Sequence, residues 1–166
     1  MSVMQAIRAR RSIRAYQSGA AISDEQLRDL LEAAMLAPSG NNRRPWEFVV
    51  VRQRDRLDAL MQAHPYSRML ATATLAIVVC ALPQVSAHLF AQDCGAATEN
   101  ILLQAADLGL GTCWCGVYPS DALVARVRAA LDIPEPLLPF SLIAVGVPAE
   151  SPDPRGWYEA EKVHYL

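Results

Sequence analysis

Four arginines, Arg8, Arg10, Arg11 and Arg14, lie within seven residues of a 166-residue chain whose formal net charge is only −2. Ser12 lies among them. Guanidinium groups bind phosphate through two parallel hydrogen bonds, and a serine hydroxyl adds a further donor. The segment therefore indicates a phosphate site; the alternative is a set of solvated cations that complements the C-terminus of a helix.

Two further stretches have the composition of a ligand-binding loop. APSGNNRRPW, from Ala37 to Trp46, offers asparagine amides that donate and accept hydrogen bonds at the edge of a heterocycle, but it is equally ordinary turn chemistry. LGLGTCWCGV, from Leu108 to Val117, has glycines that suit either close approach of a flat ligand or a helix cap and sheet bend. Its glycines precede a strand and lack the spacing of a dinucleotide-binding fingerprint.

Other catalytic patterns are missing from the sequence. We find no Ser-His-Asp set, carboxylate pair or metal-ligating cluster, and we expect ordinary surface or core roles for His64, His88 and His164. We expect Cys113 and Cys115 to face opposite sides of their strand, which argues against a redox pair. If the protein is an enzyme, a bound cofactor therefore carries the chemistry and no side chain is catalytic.

Composition narrows the class of protein further. A pI of about 5.9 argues against nucleic-acid binding, for which a strongly basic face is usual. The N-terminus lacks the apolar segment of a signal peptide, and no apolar run approaches the roughly 20 residues that span a bilayer. We therefore expect a cytoplasmic protein that does not enter a membrane, with reduced thiols.

Helices and strands must position these residues, and the patterns place them as follows. Helices are predicted at Val3–Arg10, from the Ser23 cap to Pro38, and at Arg54–Ala63, Ser86–Leu108 and Ser120–Leu131; strands at Trp46–Val51, Thr74–Leu82, 111–117 and Pro139–Pro148. The predicted helices and strands do not alternate in a regular βαβ order, which predicts an α+β fold. No linker divides residues 1–166, so we expect a single domain. The longest helix is nearly apolar, which predicts burial within the domain or against a second subunit.

Four stretches, taken together, resemble the flavin-dependent nitroreductase family. They are RRSIRAY, APSGNNRRPWEFVVV, AQDCGAATENILLQAADLGLGTCWCGV and GVPAESPDPRGWYEAEKVHYL, which occur in the family's order and cover most of the chain. The resemblance implies a nitroreductase-like sandwich, with a central, mostly antiparallel sheet flanked by helices. It also implies an intertwined homodimer with FMN in two sites at the subunit interface.

The resemblance also implies roles for individual residues. For the FMN phosphate and ribityl chain it implies Arg10, Arg11, Ser12 and Arg14, with Arg155 as a second phosphate cation. For a loop donated by the other subunit it implies Pro38, Ser39, Gly40 and Asn42. Around the flavin ring it implies Arg68 at the pyrimidine edge and the Cys115–Gly116 backbone at the central ring. Tyr66 and Phe90 are candidates for the substrate face, with core packing as the alternative.

The implied reaction takes hydride from NADH or NADPH and passes it through FMN to a nitroaromatic, quinone or similar conjugated acceptor. Alternatives are a flavin-binding module without turnover, or a specialised relative that destroys flavin, dehalogenates or dehydrogenates. Two positions depart from the family pattern: Arg44 replaces a frequent glutamine, and Asp153 lies near a position that is often basic. The chain is also short for the family, so we expect no helical insertion over the substrate.

Overall fold

A central sheet organises the protein, for which a computed structural model describes residues 1–153 and 155–166. Within those residues the sheet has four strands: β1 (Trp46–Val51), β2 (Leu75–Ala81), β3 (Gly111–Gly116) and β4 (Leu138–Gly146). Their order is β1-β2-β4-β3, and every neighbouring pair is antiparallel. The predicted antiparallel character of the sheet is confirmed.

Strand β2 lies inside the sheet because it can be buried on both faces. All seven of its residues, LAIVVCA, are buried, as a strand covered on both sides requires. Its side chains alternate between two apolar clusters: Ala76, Val78 and Cys80 belong to one, and Ile77 and Val79 to the other. The prediction that this segment forms the centre of the sheet is confirmed.

Helices cover both faces of the sheet. They are α1 (Val3–Ala9), α2 (Asp24–Met35), α3 (Arg54–Ala63), α4 (Phe90–Asp107) and α5 (Asp121–Leu131). Helices α2 and α4 contribute to one apolar cluster, and α3 and α5 to the other. The chain is therefore an α+β sandwich, as predicted. Across the described residues, no helix combines the length and apolar character that crossing a membrane requires.

Local sequence signals set most element boundaries. The Ser23 hydroxyl accepts the Gln26 N–H at 3.0 Å, and the Gln26 side chain accepts the Ser23 N–H at 3.0 Å, which is the predicted capping box. Gly109, at φ +71°, follows the C-terminal end of α4, where the Leu110 N–H reaches the Ala105 carbonyl at 2.8 Å.

Several predicted boundaries differ from the structure by one or more residues, and two of these differences have a clear local cause. Helix α4 begins at Phe90 and not at Ser86, because the chain from Ser86 forms a turn in which the Leu89 N–H donates to the Ser86 carbonyl. Strand β4 ends at Gly146 and not at Pro148, because proline has no N–H for the ladder.

The segment after α1 is attached to the outer edge of β3. The Ile13 N–H donates to the Thr112 carbonyl at 2.8 Å, and the buried Tyr16 hydroxyl donates to the Ile13 carbonyl at 2.7 Å. The Tyr16 ring packs closely over Gly146. A Cβ at position 146 would lie 2.7 Å from the Tyr16 ring, so this position needs a glycine. The arginine-rich segment is thereby held against the end of the sheet.

Candidate functional site

A small basic cleft brings the N-terminal arginines together with the C-terminal tail. Its volume is about 380 Å³. It is lined by Arg10, Arg11, Ser12, Arg14, Glu150, Pro152 and Arg155. The structure therefore places in one cleft all five residues that were predicted to hold a phosphate, although Arg155 is distant from the others in sequence. Their role in binding stays a prediction.

Hydrogen bonds to the backbone hold the two walls of this cleft together. The Glu150 carboxylate accepts the N–H groups of Arg14 and Ala15, the latter at 3.1 Å. The Arg11 Nε donates to the backbone carbonyl of Asp153 at 3.1 Å. Asp153 thus contributes a carbonyl oxygen to this wall, although its side chain departs from the basic pattern of the family.

Arg10 has an acidic neighbour on α4. Its Nε lies 3.5 Å from Glu99 Oε1, and both side chains are partly exposed. Partial burial raises the pKa of the Glu99 carboxyl, and the Arg10 charge opposes that shift. The ion pair orients Arg10 but is weak, because exposed pairs are screened by solvent.

A larger cavity of about 1020 Å³ lies beside the cleft. It is lined by Arg14, Ala15, Tyr16, His64, Pro65, Tyr66, Arg68, Met69, Ala71, Thr72, Cys113, Trp114, Cys115, Gly116 and Leu123. Its lining joins the outer edge of β3 to the segment that follows α3. Of the predicted residues, Tyr66, Arg68, Cys115 and Gly116 are therefore brought together in one cavity.

Arg14 lines both the cavity and the cleft, so the two spaces share a wall. Arg68 also lines the cavity; it lies on a short 3-10 helix, Arg68–Ala71, and its side chain is exposed. Among the described residues, no carboxylate lies within ion-pair distance of Arg68. The lining thus contains two arginines, Arg14 and Arg68, among largely apolar and aromatic side chains.

His64 connects the two walls of the cavity. It is 2% exposed, its Nε2 lies 2.9 Å from the Gly116 carbonyl, and its Nδ1 accepts the Tyr66 N–H at 3.2 Å. Because Nδ1 accepts, the ring proton belongs on Nε2, which donates to Gly116. Sequence reasoning expected an ordinary role for His64 and missed this connection, because no sequence signal links residues 64 and 116.

The outer edge of β3 offers backbone groups to the cavity. Thr112 and Gly116 direct their carbonyls outward, toward Ile13 and His64 respectively. In an antiparallel pair, alternate residues direct both backbone groups away from the partner strand, so Trp114 also directs its N–H and carbonyl outward. Because the Thr112 and Gly116 carbonyls are already paired, the strand offers the cavity the outward N–H groups of Trp114 and Gly116 and the Trp114 carbonyl.

The expectation that Cys113 and Cys115 face opposite sides of β3 was wrong. Successive residues of a strand alternate, so residues two apart share a face. Both thiols lie in the apolar cluster under α3 and α5, and the Cys115 thiol donates to the Tyr66 carbonyl at 3.4 Å. The neighbouring Cys115 thiol and the Arg14 charge lower the pKa of Cys113 against the effect of burial, whereas the pKa of Cys115 is raised.

The loop that carries Pro38, Ser39, Gly40 and Asn42, predicted to serve the other subunit, lines neither the basic cleft nor the larger cavity of its own chain. Asn41, Asn42 and Arg44 have positive φ values, so the loop turns tightly through left-handed backbone conformations. The Gly40 N–H donates to Asp93 Oδ1 at 3.0 Å, whereas Asp93 Oδ2 is buried without a hydrogen-bond partner among the described residues. Sequence reasoning missed Asp93, which fixes the loop to α4.

The other loop residues and the second substrate candidate lie outside the cavity. The Ser39 hydroxyl accepts the Arg44 N–H at 3.0 Å, and Pro38 is exposed. Phe90 packs edge-on against Tyr118, with ring centroids 5.3 Å apart, and lines neither space in its own chain. Contact of these residues with a partner's site stays a prediction.

Comparison with known proteins identifies the family. The Nitroreductase family model matches residues 7–73 and 61–147, so the chain belongs to the nitroreductase family. A relative from Methanothermobacter thermautotrophicus is 42% identical over 167 residues, covering 99% of this chain and 86% of the relative. A relative from Archaeoglobus fulgidus is 46% identical over 161 residues, and the match covers 95% of this chain and 90% of the relative. Both are provisionally named NADH dehydrogenase/NAD(P)H nitroreductase.

A solved structure supports the same family. A provisionally named nitroreductase from Desulfovibrio desulfuricans, crystallised in complex with FMN, superposes with a TM-score of 0.86 at 34% identity. The match covers 100% of this chain and 97% of that one. The predicted family and its α+β sandwich fold are therefore confirmed.

Replacing His64 with phenylalanine keeps a ring at this buried position but removes both hydrogen bonds. We expect the free energy of unfolding to fall by about 1–3 kcal/mol, because the Tyr66 N–H and the Gly116 carbonyl lose their partner. Urea unfolding measures the loss, and amide exchange by NMR should show faster exchange at Tyr66. His88→Phe, at an exposed position, is the control; equal losses in the two variants would contradict the bridging role.

Proposed function

We propose that this protein transfers hydride from NADH or NADPH, through FMN held in the two joined spaces, to a nitroaromatic, quinone or similar conjugated acceptor. Its membership of the nitroreductase family makes it an FMN-dependent oxidoreductase that uses NAD(P)H. The observation that carries the proposal is the position of Arg14, which lines both the basic cleft and the larger cavity. FMN has a phosphate at one end and a flat ring system at the other, so it would extend across both.

The cleft fits a phosphate by its donors and its charge. Arg10, Arg11, Arg14 and Arg155 supply guanidinium groups, and Ser12 supplies a hydroxyl. The one carboxylate in the lining, Glu150, already accepts two backbone N–H groups. The cleft therefore keeps an excess of positive charge, which favours a phosphate dianion over a neutral ligand.

The larger cavity fits a ring system. Its lining is mainly apolar and aromatic, and such walls with a few polar groups are typical of cofactor pockets. When FMN is bound, its ring accepts and donates the hydride. Arg68 would stabilise the negative charge of the reduced ring, and the outward N–H groups of β3 would orient it. No acid or base of the chain is needed.

The mouth of the cavity favours a flat acceptor. Tyr66 is 77% exposed there, so its ring can lie against an aromatic or quinone substrate without displacing core residues. An open mouth also allows the nicotinamide donor and the acceptor to use the same face of the ring in turn. Phe90, which does not line the cavity in its own chain, would reach a substrate only across a subunit interface.

We also propose a homodimer in which each chain completes the site of the other. The C-terminal tail exposes Trp157, Tyr158 and Tyr165 by 81%, 74% and 88%, respectively. Such apolar surface on a small protein favours burial against a partner. A second copy would cover the tail and place the Pro38–Asn42 loop at its partner's cavity. A single domain over residues 1–166, a cytoplasmic location and the absence of a nucleic-acid partner stay predictions.

An absorption and turnover experiment tests the function. We expect protein incubated with FMN and then freed of excess to show flavin absorption, and to oxidise NADH or NADPH when a nitroaromatic or quinone is present. Protein that remains colourless would contradict the proposal. A yellow protein that oxidises neither nucleotide with any acceptor would indicate a flavin-binding module, and analysis of the products would reveal a specialised reaction.

Arg14→Ala tests the shared wall. We expect the FMN dissociation constant to rise about ten- to a hundredfold, because a hydrogen bond to a charged group contributes roughly 1.5–3 kcal/mol. Flavin fluorescence quenching measures the affinity. Arg28→Ala, an exposed arginine on α2 outside both spaces, should bind FMN like the natural protein. Equal affinity in both variants would place the phosphate elsewhere.

A mixing experiment tests the shared site. We expect sedimentation of a dimer at micromolar concentration, and weak FMN binding by Arg14→Ala and Asn42→Ala when each is assayed alone. If the loop serves the partner, a mixed dimer carries both defects in one site and leaves its other site intact. Refolding the two variants together should therefore restore tight FMN sites. A monomer, or the absence of restored sites, would contradict the arrangement.

A further inference from the structure

The start of helix α4 fixes the loop that carries Ser39 and Asn42. The Gly40 N–H donates to Asp93 Oδ1 at 3.0 Å, and Asp93 is only 6% exposed. Gly40 also packs directly against Leu89, because a Cβ at position 40 would clash with the Leu89 side chain. One buried carboxylate and one close contact therefore set the distance between this loop and α4.

Hydrogen bonds within the loop carry this constraint to Ser39 and Asn42. The Ser39 carbonyl accepts the Asn42 N–H at 2.9 Å, and the Ser39 hydroxyl accepts the Arg44 N–H at 3.0 Å. Asn41 and Asn42 have φ values of +53° and +54°, a left-handed conformation that residues other than glycine adopt at a cost. Such a turn keeps its shape only where its surroundings hold it, so we expect its conformation to depend on the hydrogen bond at Gly40.

The burial of Asp93 is costly for the fold. Its Oδ2 is buried without a hydrogen-bond partner among the described residues, and none of the ion pairs between those residues includes Asp93. Taking a carboxylate out of water without full pairing destabilises the folded state. Its place in the first turn of α4 offsets part of that cost through the helix dipole. A charged acceptor also makes a stronger hydrogen bond than a neutral one, which points to the bond with Gly40 as the purpose of this carboxylate.

We propose that Asp93 is a positioning residue for FMN binding: its carboxylate holds the Gly40 loop in the shape that Ser39 and Asn42 need to reach the FMN site of the partner subunit. The inference rests on the proposed function, because it takes this loop as the part of the site that one copy supplies to the other. Asp93 itself would contact neither FMN nor substrate. It lines neither the basic cleft nor the larger cavity of its own chain.

The proposal gives the effect of Asp93 a direction within the dimer. A residue that only stabilises its own fold acts on the FMN site of its own chain. A residue that acts through the loop acts on the other site. The helix-dipole contribution of Asp93 belongs to the first kind, and its hydrogen bond with Gly40 belongs to the second.

Amide exchange by NMR tests the contact with the loop. In Asp93→Ala the Gly40 N–H loses its acceptor, so we expect it to exchange at least about tenfold faster. Asp93→Asn retains a side-chain oxygen that can accept the same N–H, so exchange should stay within about threefold of the natural protein. Asp107→Ala, at the other end of α4, is the control. Unchanged exchange at Gly40 in Asp93→Ala would overturn the proposal.

FMN affinity, measured by flavin fluorescence quenching, tests the consequence for the site. We expect the FMN dissociation constant to rise about tenfold in Asp93→Ala, because the released loop must be ordered when FMN binds. Asp93→Asn should stay within about threefold of the natural protein, because it retains the acceptor. Asp107→Ala should bind FMN like the natural protein. An affinity that Asp93→Ala leaves unchanged, or that Asp93→Asn lowers as strongly as Asp93→Ala does, would overturn the role of this acceptor.

Mixed dimers test the direction of the effect. Refolding Asp93→Ala together with Arg14→Ala should restore tight binding in about a quarter of all FMN sites, because about half of the dimers are mixed and each has one site free of both defects. Refolding Asp93→Ala with Asn42→Ala should restore none, because every site then receives a defective loop. The opposite pattern would mean that Asp93 acts on the site of its own chain, and it would overturn the proposal.

The mixture of Arg14→Ala with Asn42→Ala separates this inference from the proposed function. If that mixture restores tight sites and Arg14→Ala with Asp93→Ala does not, the shared site stands and the role of Asp93 is overturned. If neither mixture restores them, the shared site is overturned, and with it the role of Asp93 in FMN binding. Exchange at Gly40 still reports whether Asp93 holds the loop.

Discussion

The backbone hydrogen bond between the Ile13 N–H and the Thr112 carbonyl is the constraint on which the site depends. It attaches the segment after α1 to an edge strand that would otherwise expose a row of unpaired polar groups. The Tyr16 ring, packed over Gly146, holds the same segment from its other end. With this attachment, the basic cleft and the larger cavity form on either side of Arg14.

Two further contacts keep the site open and positively charged. His64 connects the end of β3 to Tyr66, so the opposite walls of the cavity are fixed relative to one another. The Glu150 carboxylate is fixed by two backbone N–H groups, and the four arginines that line the cleft with it leave an excess of positive charge.

Two features of the single chain, a well-fixed loop and an exposed aromatic tail, contribute to neither the cleft nor the cavity of that chain. The loop that carries Ser39 and Asn42 is well fixed by Asp93, yet it lines neither space of its own chain. The aromatic side chains of the tail lie in solvent. In the homodimer that we propose, both features would have a role, because each copy would supply the loop and receive the tail.

The sequence by itself determined the local structure and the family: β1 and α3 have their predicted bounds, and the four stretches correctly indicated a nitroreductase. These features follow from hydrogen bonds and apolar periodicity within a few residues. The shared face of Cys113 and Cys115 was also readable from strand periodicity, and we misassigned it. The meeting of Arg155 with Arg14 was implied by the family resemblance, but only the tertiary structure decided that His64 meets Gly116 and that Asp93 fixes the Gly40 loop. Such contacts depend on how distant segments pack, which short-range sequence patterns do not encode.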